Sequence, residues 1–354
     1  MFKVKDNIRD VHRVEDSYVD RSTLIRLDKN ERSIPFKEKD LKVLKEYINS
    51  LTICGYPQPD PLYKKLATYL NVDRENLYIT TGSDLAIKTV FETFINDGDS
   101  ILMHSPSYAM YSIYADIFGV KKIEVPFANN LSFDLYDFID KINDKISMVV
   151  LENPNGFVGV EFLEKDIITL IKKAQKTQTL VIIDEAYFHF CRTSVINYVQ
   201  DFDNLIIIRT FSKAFSMAGV RLGYIVANNE LVSMLTKVKP MHEVTGLAIA
   251  IGEYMLEKID IMENYVKMIE DSKEYIARRA KEKGYEVFLA HTNFFLLKLT
   301  EGMQSQYFKD EMYKRNILVR RPFTQDFLKG WVRITIGNKE QMQCFIEAVG
   351  DVLL

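Results

Sequence analysis

An apolar run that leads directly into a reactive polar cluster constrains this chain more than any other feature. Residues 205–208 are four consecutive apolar side chains, as expected for a buried strand. Thr210, Ser212 and Lys213 come next, and Arg221 follows in the same segment. A lysine beside hydroxyls and a guanidinium suits an amine that carries an aldehyde cofactor with a phosphate group. In this interpretation the hydroxyls and Arg221 hold the phosphate.

The sequence of this segment resembles a motif of a known enzyme family. Taken alone, Ser-Lys after an apolar strand also fits an ordinary turn, and Arg221 fits a surface charge. However, SKAF at residues 212–215 and AGVRLGY at residues 218–224 resemble the cofactor-lysine motif of fold-type I pyridoxal phosphate (PLP) enzymes. The greatest similarity is to the histidinol-phosphate aminotransferase branch. The resemblance implies Lys213 as the catalytic lysine and an α/β fold, with a mostly parallel large-domain sheet and a smaller α+β domain.

Composition fits a large globular protein. With 354 residues, 47% of them hydrophobic and 27% charged, the chain can bury a large core. The net charge of −3, from 46 basic and 49 acidic residues, provides no basic field for nucleic acid or a membrane surface. The N-terminal segment lacks the apolar core of a signal peptide, and no run reaches the roughly 18 apolar residues of a membrane span. We therefore expect a cytoplasmic protein without nucleic-acid or membrane partners.

The cysteines add a second exclusion. Cys54, Cys191 and Cys344 are an odd number without close spacing, which argues against a disulfide framework or a zinc site. We expect no bound metal and a reducing compartment.

Strand and helix patterns alternate along most of the chain. Strands are predicted at residues 77–81, 100–104, 122–126, 146–151 and 180–183, and helices at residues 85–94 and 109–118. A helical pattern runs from residue 229 to about residue 281, interrupted at Pro240 and Gly246. We divide the chain into a large PLP-binding domain, residues 46–240, and an N-terminal arm plus small C-terminal domain, residues 1–45 and 241–354.

A Gly-Ser turn opens a helix directly after the predicted strand at residues 77–81. At Gly82, Ser83 and Asp84, free backbone N–H groups and the helix dipole favour a phosphate, although Ser or Asp at a helix start is also ordinary capping chemistry. The resemblance places the cofactor phosphate against these three residues. It also implies that Tyr56, in a rigid Tyr-Pro turn, reaches the phosphate bound by the other subunit of a homodimer. A buried structural tyrosine is the alternative.

Other strand ends carry candidates for the cofactor ring. Tyr108 has a flat side chain that would stack on a pyridine ring, with a core tyrosine as the alternative. Asp184 follows a buried run, where a carboxylate would pair with the protonated ring nitrogen so that the ring draws electrons from the substrate. It stands 29 residues before Lys213, which makes the pattern specific. The resemblance assigns Tyr187 to the ring hydroxyl.

The segment ENPNGFVG, residues 152–159, departs from the family's Asn-Pro-Thr-Gly pattern. An alignment without gaps puts Gly156 where the asparagine that bonds the ring hydroxyl belongs. Phe157 and Val158 stand in place of Pro-Thr. Asn155 is our candidate for the hydroxyl contact, through a shifted loop. The departure leaves the exact substrate open.

Two arginines and an asparagine are candidates for the substrate. Arg333 lies inside an apolar strand, where a guanidinium should face an anion, and Arg320 stands thirteen residues earlier. The resemblance implies that Arg333 binds a substrate carboxylate or phosphate, that Arg320 is a second anion contact, and that Asn30 lies near the substrate. Structural salt bridges, and a solvated loop for Asn30, are the alternatives.

These residues predict a PLP-dependent aminotransferase. It would move an amino group between glutamate or 2-oxoglutarate and a small phosphorylated amine or ketone, such as histidinol phosphate or a three-carbon amino alcohol phosphate. A homodimer with shared active sites is expected. One open alternative is a decarboxylase of a phosphorylated amino acid, phosphoserine or phosphothreonine. The other is a catalytically silent binding protein of the same fold.

Overall fold

The computed structural model describes residues 3–9, 11–13, 19–191 and 193–353. The N-terminal segment, for which no signal-peptide pattern was predicted, lies partly outside these ranges, at residues 1, 2, 10 and 14–18. The strands are β1 Ile25–Leu27, β2 Leu77–Thr80, β3 Ser100–Ser105, β4 Lys121–Pro126, β5 Met148–Glu152, β6 Leu180–Asp184, β7 Leu205–Thr210, β8 Gly223–Ala227, β9 Val287–Leu289, β10 Phe294–Lys298, β11 Ile317–Val319 and β12 Trp331–Thr335. The α-helices are α1 Asp6–Arg9, α2 Glu38–Glu46, α3 Ser50–Cys54, α4 Asp60–Leu70, α5 Gly82–Phe94, α6 Ala109–Ile117, α7 Leu135–Asp140, α8 Glu164–Lys176, α9 Asn229–Leu235, α10 Gly246–Glu257, α11 Ile259–Lys283, α12 Ser305–Lys314 and α13 Lys339–Leu353.

Among the described residues, a seven-stranded sheet has the order β2-β8-β7-β6-β5-β3-β4, and we call it the large sheet. Its neighbours pair in parallel except at β8, which is antiparallel to both β2 and β7. The sequence did not predict this antiparallel strand. The α/β fold class with a mostly parallel sheet is confirmed.

The two faces of the large sheet pack into different cores. On β7, Leu205 and Ile207 join the apolar cluster that includes α8, whereas Ile206 and Ile208 join the cluster that includes α5 and α6. Side chains alternate between the faces of a strand, so an all-apolar strand requires helices on both sides. Each such fully buried side chain contributes roughly 1.5–3 kcal/mol to folding.

The strand order reverses between β3 and β5. From β3 the chain moves outward to the edge strand β4 and then returns to the other side of β3 as β5. In open parallel sheets, ligands bind in the crevice that such a reversal creates at the carboxyl ends of the strands. Tyr108 and Lys213 follow β3 and β7 at this edge, and Asp184 ends β6.

Smaller sheets are built from the remaining described strands. An antiparallel three-stranded sheet has the order β12-β10-β9, and β1 pairs with β11 in parallel. Residues 25–27 are therefore joined to residues 317–319, far along the chain. The domain boundaries at residues 45/46 and 240/241 stay a prediction.

The predicted helical stretch after residue 229 is divided into α9, α10 and α11. Helix α9 ends at Leu235 and α10 begins at Gly246, so Pro240 lies in the break between them. Proline has no N–H to donate and clashes with the preceding turn, which accounts for the interruption. None of the helices in the described ranges has the length and apolar character needed to cross a membrane.

Candidate active site

Lys213 lies in the loop after β7, with its ammonium group over a tyrosine ring. Its Nζ is 5.3 Å from the centroid of the Tyr187 ring. The neighbouring side chains of Phe211, Ala214 and Phe215 are fully buried in the core, whereas Lys213 is half-buried. The core thus anchors the loop and leaves the lysine at the edge of the large sheet.

Asp184 is a buried carboxylate at the end of β6. Its Oδ2 accepts a hydrogen bond from Tyr111 Oη at 2.8 Å, and its Oδ1 accepts one from the Ala186 N–H at 3.0 Å. Burial, together with the nearby Glu152 carboxyl, raises the pKa of Asp184 to about 7. A buried carboxylate of this kind is stabilised by a cation, such as a protonated pyridine nitrogen.

Hydrogen bonds through Asp84 connect Tyr108, the predicted stacking residue, with Arg221 at the predicted phosphate site. Tyr108 Oη donates to Asp84 Oδ1 at 2.7 Å, and Arg221 Nη2 donates to Asp84 Oδ2 at 3.0 Å. Tyr108 keeps 40% of its surface exposed. An aromatic ring, a carboxylate and a guanidinium from three segments therefore meet at one place.

The start of α5 forms the predicted phosphate cradle. Gly82 has a φ of +76°, and a Cβ there would lie 2.7 Å from Arg221 Nη2, so only glycine admits the guanidinium without a shift. The side chain of Thr81, at the N-cap position, makes no capping hydrogen bond to the first turn. Free N–H groups at a helix start, next to an arginine, bind anions.

The hydroxyls predicted for the phosphate lie beside this cradle. Thr210 Oγ1 accepts a hydrogen bond from the Ser212 N–H at 3.1 Å, and Ser212 Oγ lies 3.5 Å from Arg221 Nη1. A Cβ on Gly223 would lie only 2.5 Å from the Ser83 nitrogen, so β8 and the start of α5 are in close contact. Apart from Tyr56, the structure brings together all the residues predicted to hold the cofactor phosphate.

Asn30 lies behind Tyr187. It is 1% exposed, and its Nδ2 donates to Tyr187 Oη at 2.9 Å. Its Oδ1 accepts from Thr335 Oγ1 at 3.1 Å, and its backbone N–H donates to the same hydroxyl at 2.9 Å. The substrate contact of Asn30 stays a prediction, whereas its support of the Tyr187 hydroxyl is a feature of the structure.

The side chain of Asn155 is directed into its own loop. Its Oδ1 accepts from the N–H groups of Phe157 at 2.9 Å and Val158 at 2.7 Å, and its Nδ2 donates to the Pro106 carbonyl at 3.2 Å. The residue is fully buried. Both ends of the Asn155 amide thus already have protein partners, and its contact with the ring hydroxyl stays a prediction.

Glu152 is a site residue that the sequence reasoning did not single out. It ends β5 and stands opposite Asp184 in the register of β5 and β6. Its carboxyl is buried, which raises its pKa to about 7. The usable signal was a carboxylate directly after an apolar run, at the same strand end as Asp184.

Arg320 and Arg333 lie near one aromatic ring. Their Cζ atoms are 4.9 and 5.9 Å from the centroid of the Phe157 ring. Arg333 Nη1 donates to the Gly156 carbonyl at 2.7 Å, and its Nε is buried without a partner. Burial lowers the pKa of both guanidinium groups, and the charge of Arg333 adds to the effect at Arg320. Within the described part of the chain, neither arginine has a carboxylate within 4.0 Å.

Tyr56 stands apart from these groups. It is 81% exposed, and its ring stacks on His242 with the centroids 4.4 Å apart. Within residues 19–191 and 193–353, no hydrogen bond or ring contact joins it to Ser83, Ser212 or Arg221. The alternative of a buried structural tyrosine is wrong, and the predicted contact across a dimer stays a prediction.

Comparisons with known proteins place this chain in a family. Residues 27–349 match the family described as Aminotransferase class I and II. A histidinol-phosphate aminotransferase of Thermoanaerobacter sp. (strain X514) is 33% identical over 333 residues, which are 93% of each chain. The structure of the Sinorhizobium meliloti histidinol-phosphate aminotransferase in complex with pyridoxal-5'-phosphate gives a TM-score of 0.89 at 21% identity, over 100% of this chain and 98% of that one. The structure of the L-threonine-O-3-phosphate decarboxylase from Porphyromonas gingivalis gives a TM-score of 0.78 at 25% identity, over 93% of this chain and 99% of that one.

The large sheet, with a lysine and a buried aspartate at its carboxyl edge, defines a fold-type I PLP enzyme. With the family match over most of its length, the chain belongs to the aminotransferase class I and II family, in its histidinol-phosphate aminotransferase-like branch. The predicted enzyme class, a PLP-dependent aminotransferase, and the predicted cofactor are confirmed. Family membership disfavours the alternative of a catalytically silent protein. The roles of the individual site residues stay predictions.

Proposed function

We propose that this enzyme transfers an amino group between glutamate and a small phosphorylated amine, and that Arg320 and Arg333 bind the substrate phosphate. The observation that carries the proposal is a pair of guanidinium groups beside Phe157 with no carboxylate partner among the described residues. Two partly buried groups of like charge repel each other when no anion is near, so a bound dianion would stabilise the pair. The similarity to a histidinol-phosphate aminotransferase supports a phosphorylated substrate.

Phe157 contributes to the same anion site. Its ring stands where the family pattern has proline, and both guanidinium groups lie within about 6 Å of its centroid. A cation over an aromatic face gains roughly 0.5–2 kcal/mol, which partly offsets the repulsion between the arginines. The pair is thus held in place before a phosphate arrives.

The other site residues follow from the cofactor's chemistry. PLP, when bound, supplies an electron sink for the carbon that bears the substrate's amino group. We assign the covalent attachment and the proton transfer at that carbon to the Lys213 Nζ. Asp184 would stabilise the proton on the ring nitrogen, and Arg221 with the first turn of α5 would hold the cofactor phosphate.

A substrate panel tests the proposal. The purified holoenzyme would be given 2-oxoglutarate with histidinol phosphate, with three-carbon amino alcohol phosphates, and with the dephosphorylated form of each. We expect glutamate formation with at least one phosphorylated amine, and kcat/KM roughly 100-fold below that value for its dephosphorylated form. Equal kcat/KM for the two forms would overturn the role of the arginine pair.

Decarboxylation of a phosphorylated amino acid is the second candidate, supported by the similarity to the Porphyromonas gingivalis decarboxylase. The two reactions differ in which bond of the substrate lies perpendicular to the cofactor ring, and both use an anion site for phosphate. Phosphoserine and phosphothreonine would be supplied without any keto acid. Release of carbon dioxide under these conditions, with no glutamate formed when 2-oxoglutarate is added, would replace transamination by decarboxylation.

We propose a homodimer whose active sites are shared. Exposed apolar side chains support it: Leu51, Ile53, Tyr56 and Met241 are 73%, 72%, 81% and 87% exposed. The stack of Tyr56 on His242 places the two segments side by side on one surface. Exposed apolar surface of this kind is typical of an interface, and a two-fold axis would bring Tyr56 to the site of the partner.

Mixed subunits test this arrangement. Lys213→Ala and Tyr56→Phe subunits, each weakly active or inactive alone, would be refolded together. If Tyr56 serves the opposite site, one site of each mixed dimer receives both intact residues and regains activity. A monomer by sedimentation at micromolar concentration would contradict the proposal.

We propose that the enzyme works in the cytoplasm. Cys54, Cys191 and Cys344 are all free thiols in the structure. Free thiols persist in a reducing compartment. Cell fractionation with an antibody to the protein is the direct measurement.

A further inference from the structure

The Glu152 side chain fills the space that a side chain at position 156, in place of Gly156, would need. A Cβ placed on Gly156 would lie 3.0 Å from Glu152 Oε2 and 3.5 Å from Tyr187 Cε2. Gly156 is the position where the family pattern has the asparagine that bonds the ring hydroxyl. The carboxyl oxygen of Glu152 therefore lies where the side chain of that asparagine would begin.

The position of the Glu152 carboxyl is determined by two loops. Its Oε2 accepts a hydrogen bond from the Gly156 N–H at 2.8 Å, and its Oε1 accepts one from the Tyr108 N–H. These donors lie in the loops that follow β5 and β3, on either side of the reversal in strand order. The carboxyl is thus directed into the crevice where ligands of such sheets bind.

We propose that Glu152 replaces the missing asparagine as the partner of the cofactor's ring hydroxyl, so that a carboxyl group, which titrates, stands where the family has an amide, which does not. The inference depends on PLP as the cofactor and not on the identity of the substrate. Tyr187, assigned to the same hydroxyl by the resemblance, borders the same space.

Several ionisable groups face Glu152 from the surrounding elements. They are His104 on β3, Tyr108 and Tyr111 at the start of α6, Asp184 on β6, Tyr187 after β6, and Arg333 on β12. His104 is neutral, because burial lowers its pKa to about 4. Its Nε2 accepts from the Glu152 N–H at 3.1 Å and lies 3.8 Å from Oε1, so it provides no charge to the carboxyl.

The proton balance favours a protonated Glu152 when the cofactor is bound. Burial raises the pKa of both Glu152 and Asp184 to about 7, while Arg333 and two backbone N–H groups favour the ionised form of Glu152. Two adjacent buried carboxyl groups share a proton more readily than both ionise. A cationic ring nitrogen would keep Asp184 ionised. The shared proton would then stay on the Glu152 carboxyl, from which it can be donated to the ring oxygen.

An exchange of the two positions tests the proposal through cofactor binding. Glu152→Ala should weaken pyridoxamine phosphate binding roughly tenfold, since the ring hydroxyl loses a buried donor. Gly156→Asn alone should also weaken it, because the new Cβ would lie only 3.0 Å from Glu152 Oε2. The double variant Glu152→Ala/Gly156→Asn should return to within about threefold of the wild-type dissociation constant. Equilibrium dialysis measures all four proteins, and thermal unfolding verifies that each is folded.

A spectroscopic titration gives a second readout. Glu152→Gln retains a donor but cannot titrate, so the pH midpoint of the visible absorbance of the Lys213-bound cofactor should move by at least about one pH unit. The exposed Glu230→Gln is the control and should leave the midpoint unchanged. An unchanged midpoint in Glu152→Gln, or losses that simply add in the double variant, would overturn the proposal. Both readouts concern the bound cofactor, so they remain decisive for an enzyme that proves inactive on phosphorylated amines.

Discussion

Asn30 donates a hydrogen bond to the phenol oxygen of Tyr187 over 2.9 Å, across 157 positions of sequence. Asn30 adopts a φ of 53°, in the left-handed region that asparagine tolerates better than most residues. Strand β1 precedes Asn30 in the chain, and its pairing with β11 sets the position of Asn30. The N-terminal arm is thereby part of the cofactor edge of the large sheet.

Asn30→Ala should lower the free energy of unfolding by about 1–3 kcal/mol, because the buried hydroxyl of Thr335 and the phenol of Tyr187 each lose a partner. Urea denaturation of the holoenzyme measures the change. Asn264→Ala, at an exposed position of α11, is the matched control and should stay within about 0.5 kcal/mol of wild type. Equal losses in the two variants would contradict the role of Asn30.

Lys213→Ala should abolish transamination while pyridoxamine phosphate still binds. The amine is the group that attaches the cofactor and moves the proton, whereas the phosphate cradle at α5 is untouched by this change. Steady-state kinetics and fluorescence titration measure the two quantities. Lys173→Ala, an exposed lysine of α8, should behave as wild type. Turnover near the wild-type rate in Lys213→Ala would remove the assignment.

Gly82→Ala should weaken PLP binding by roughly tenfold or more. The added Cβ would lie 2.7 Å from Arg221 Nη2 at a φ of +76°, so the guanidinium and the helix start must both shift. Gly219→Ala is a close control, because it lies two positions from Arg221 and its Cβ would meet no atom within 4 Å. Dissociation constants for PLP, measured for both variants, decide the matter. Similar constants would show that the cradle does not depend on this close approach.

Arg320→Met should raise the KM for the phosphorylated substrate by roughly 10- to 100-fold with a smaller change in kcat, since it removes one charge-assisted contact with the phosphate. KM for a dephosphorylated substrate should change little. Arg279→Met, which removes an ion-paired arginine of α11, is the control. A change in KM that is equal for both substrates would separate Arg320 from the phosphate.

Asp184 should make the cofactor-free protein less stable as pH rises from about 4 to 7. Its pKa is raised from an ordinary value of 3.8 to about 7, so in this window the folded state binds more protons than the unfolded state, and the free energy of unfolding falls as pH increases. Asp184→Asn cannot titrate and should reduce this slope, with a difference of at least ~1 kcal/mol between pH 5 and pH 8. Urea midpoints over this range give the measurement. Parallel pH profiles for wild type and variant would refute it.

Much of the site was predictable because parallel strands have their carboxyl ends at one edge. Lys213 and Asp184 each follow an apolar run, and Tyr108 follows another after a short turn. That these residues lie near one another could therefore be predicted from local pattern and strand order. Gly82 and Arg221 could be paired only through the family resemblance. The structure brings Gly82 close to Arg221, and Tyr108 and Arg221 both donate hydrogen bonds to Asp84.

The sequence by itself determined the fold class, the cofactor and the strand-end lysine and aspartate, since each depends on short runs of neighbouring residues. Only the tertiary structure decided which side chains occupy the remaining space. The amide of Asn155 is directed into its loop, Asn30 reaches Thr335 across 305 positions, and Glu152 lies against Gly156. Side-chain direction and long-range packing depend on where distant segments meet, and a one-dimensional pattern does not contain that information.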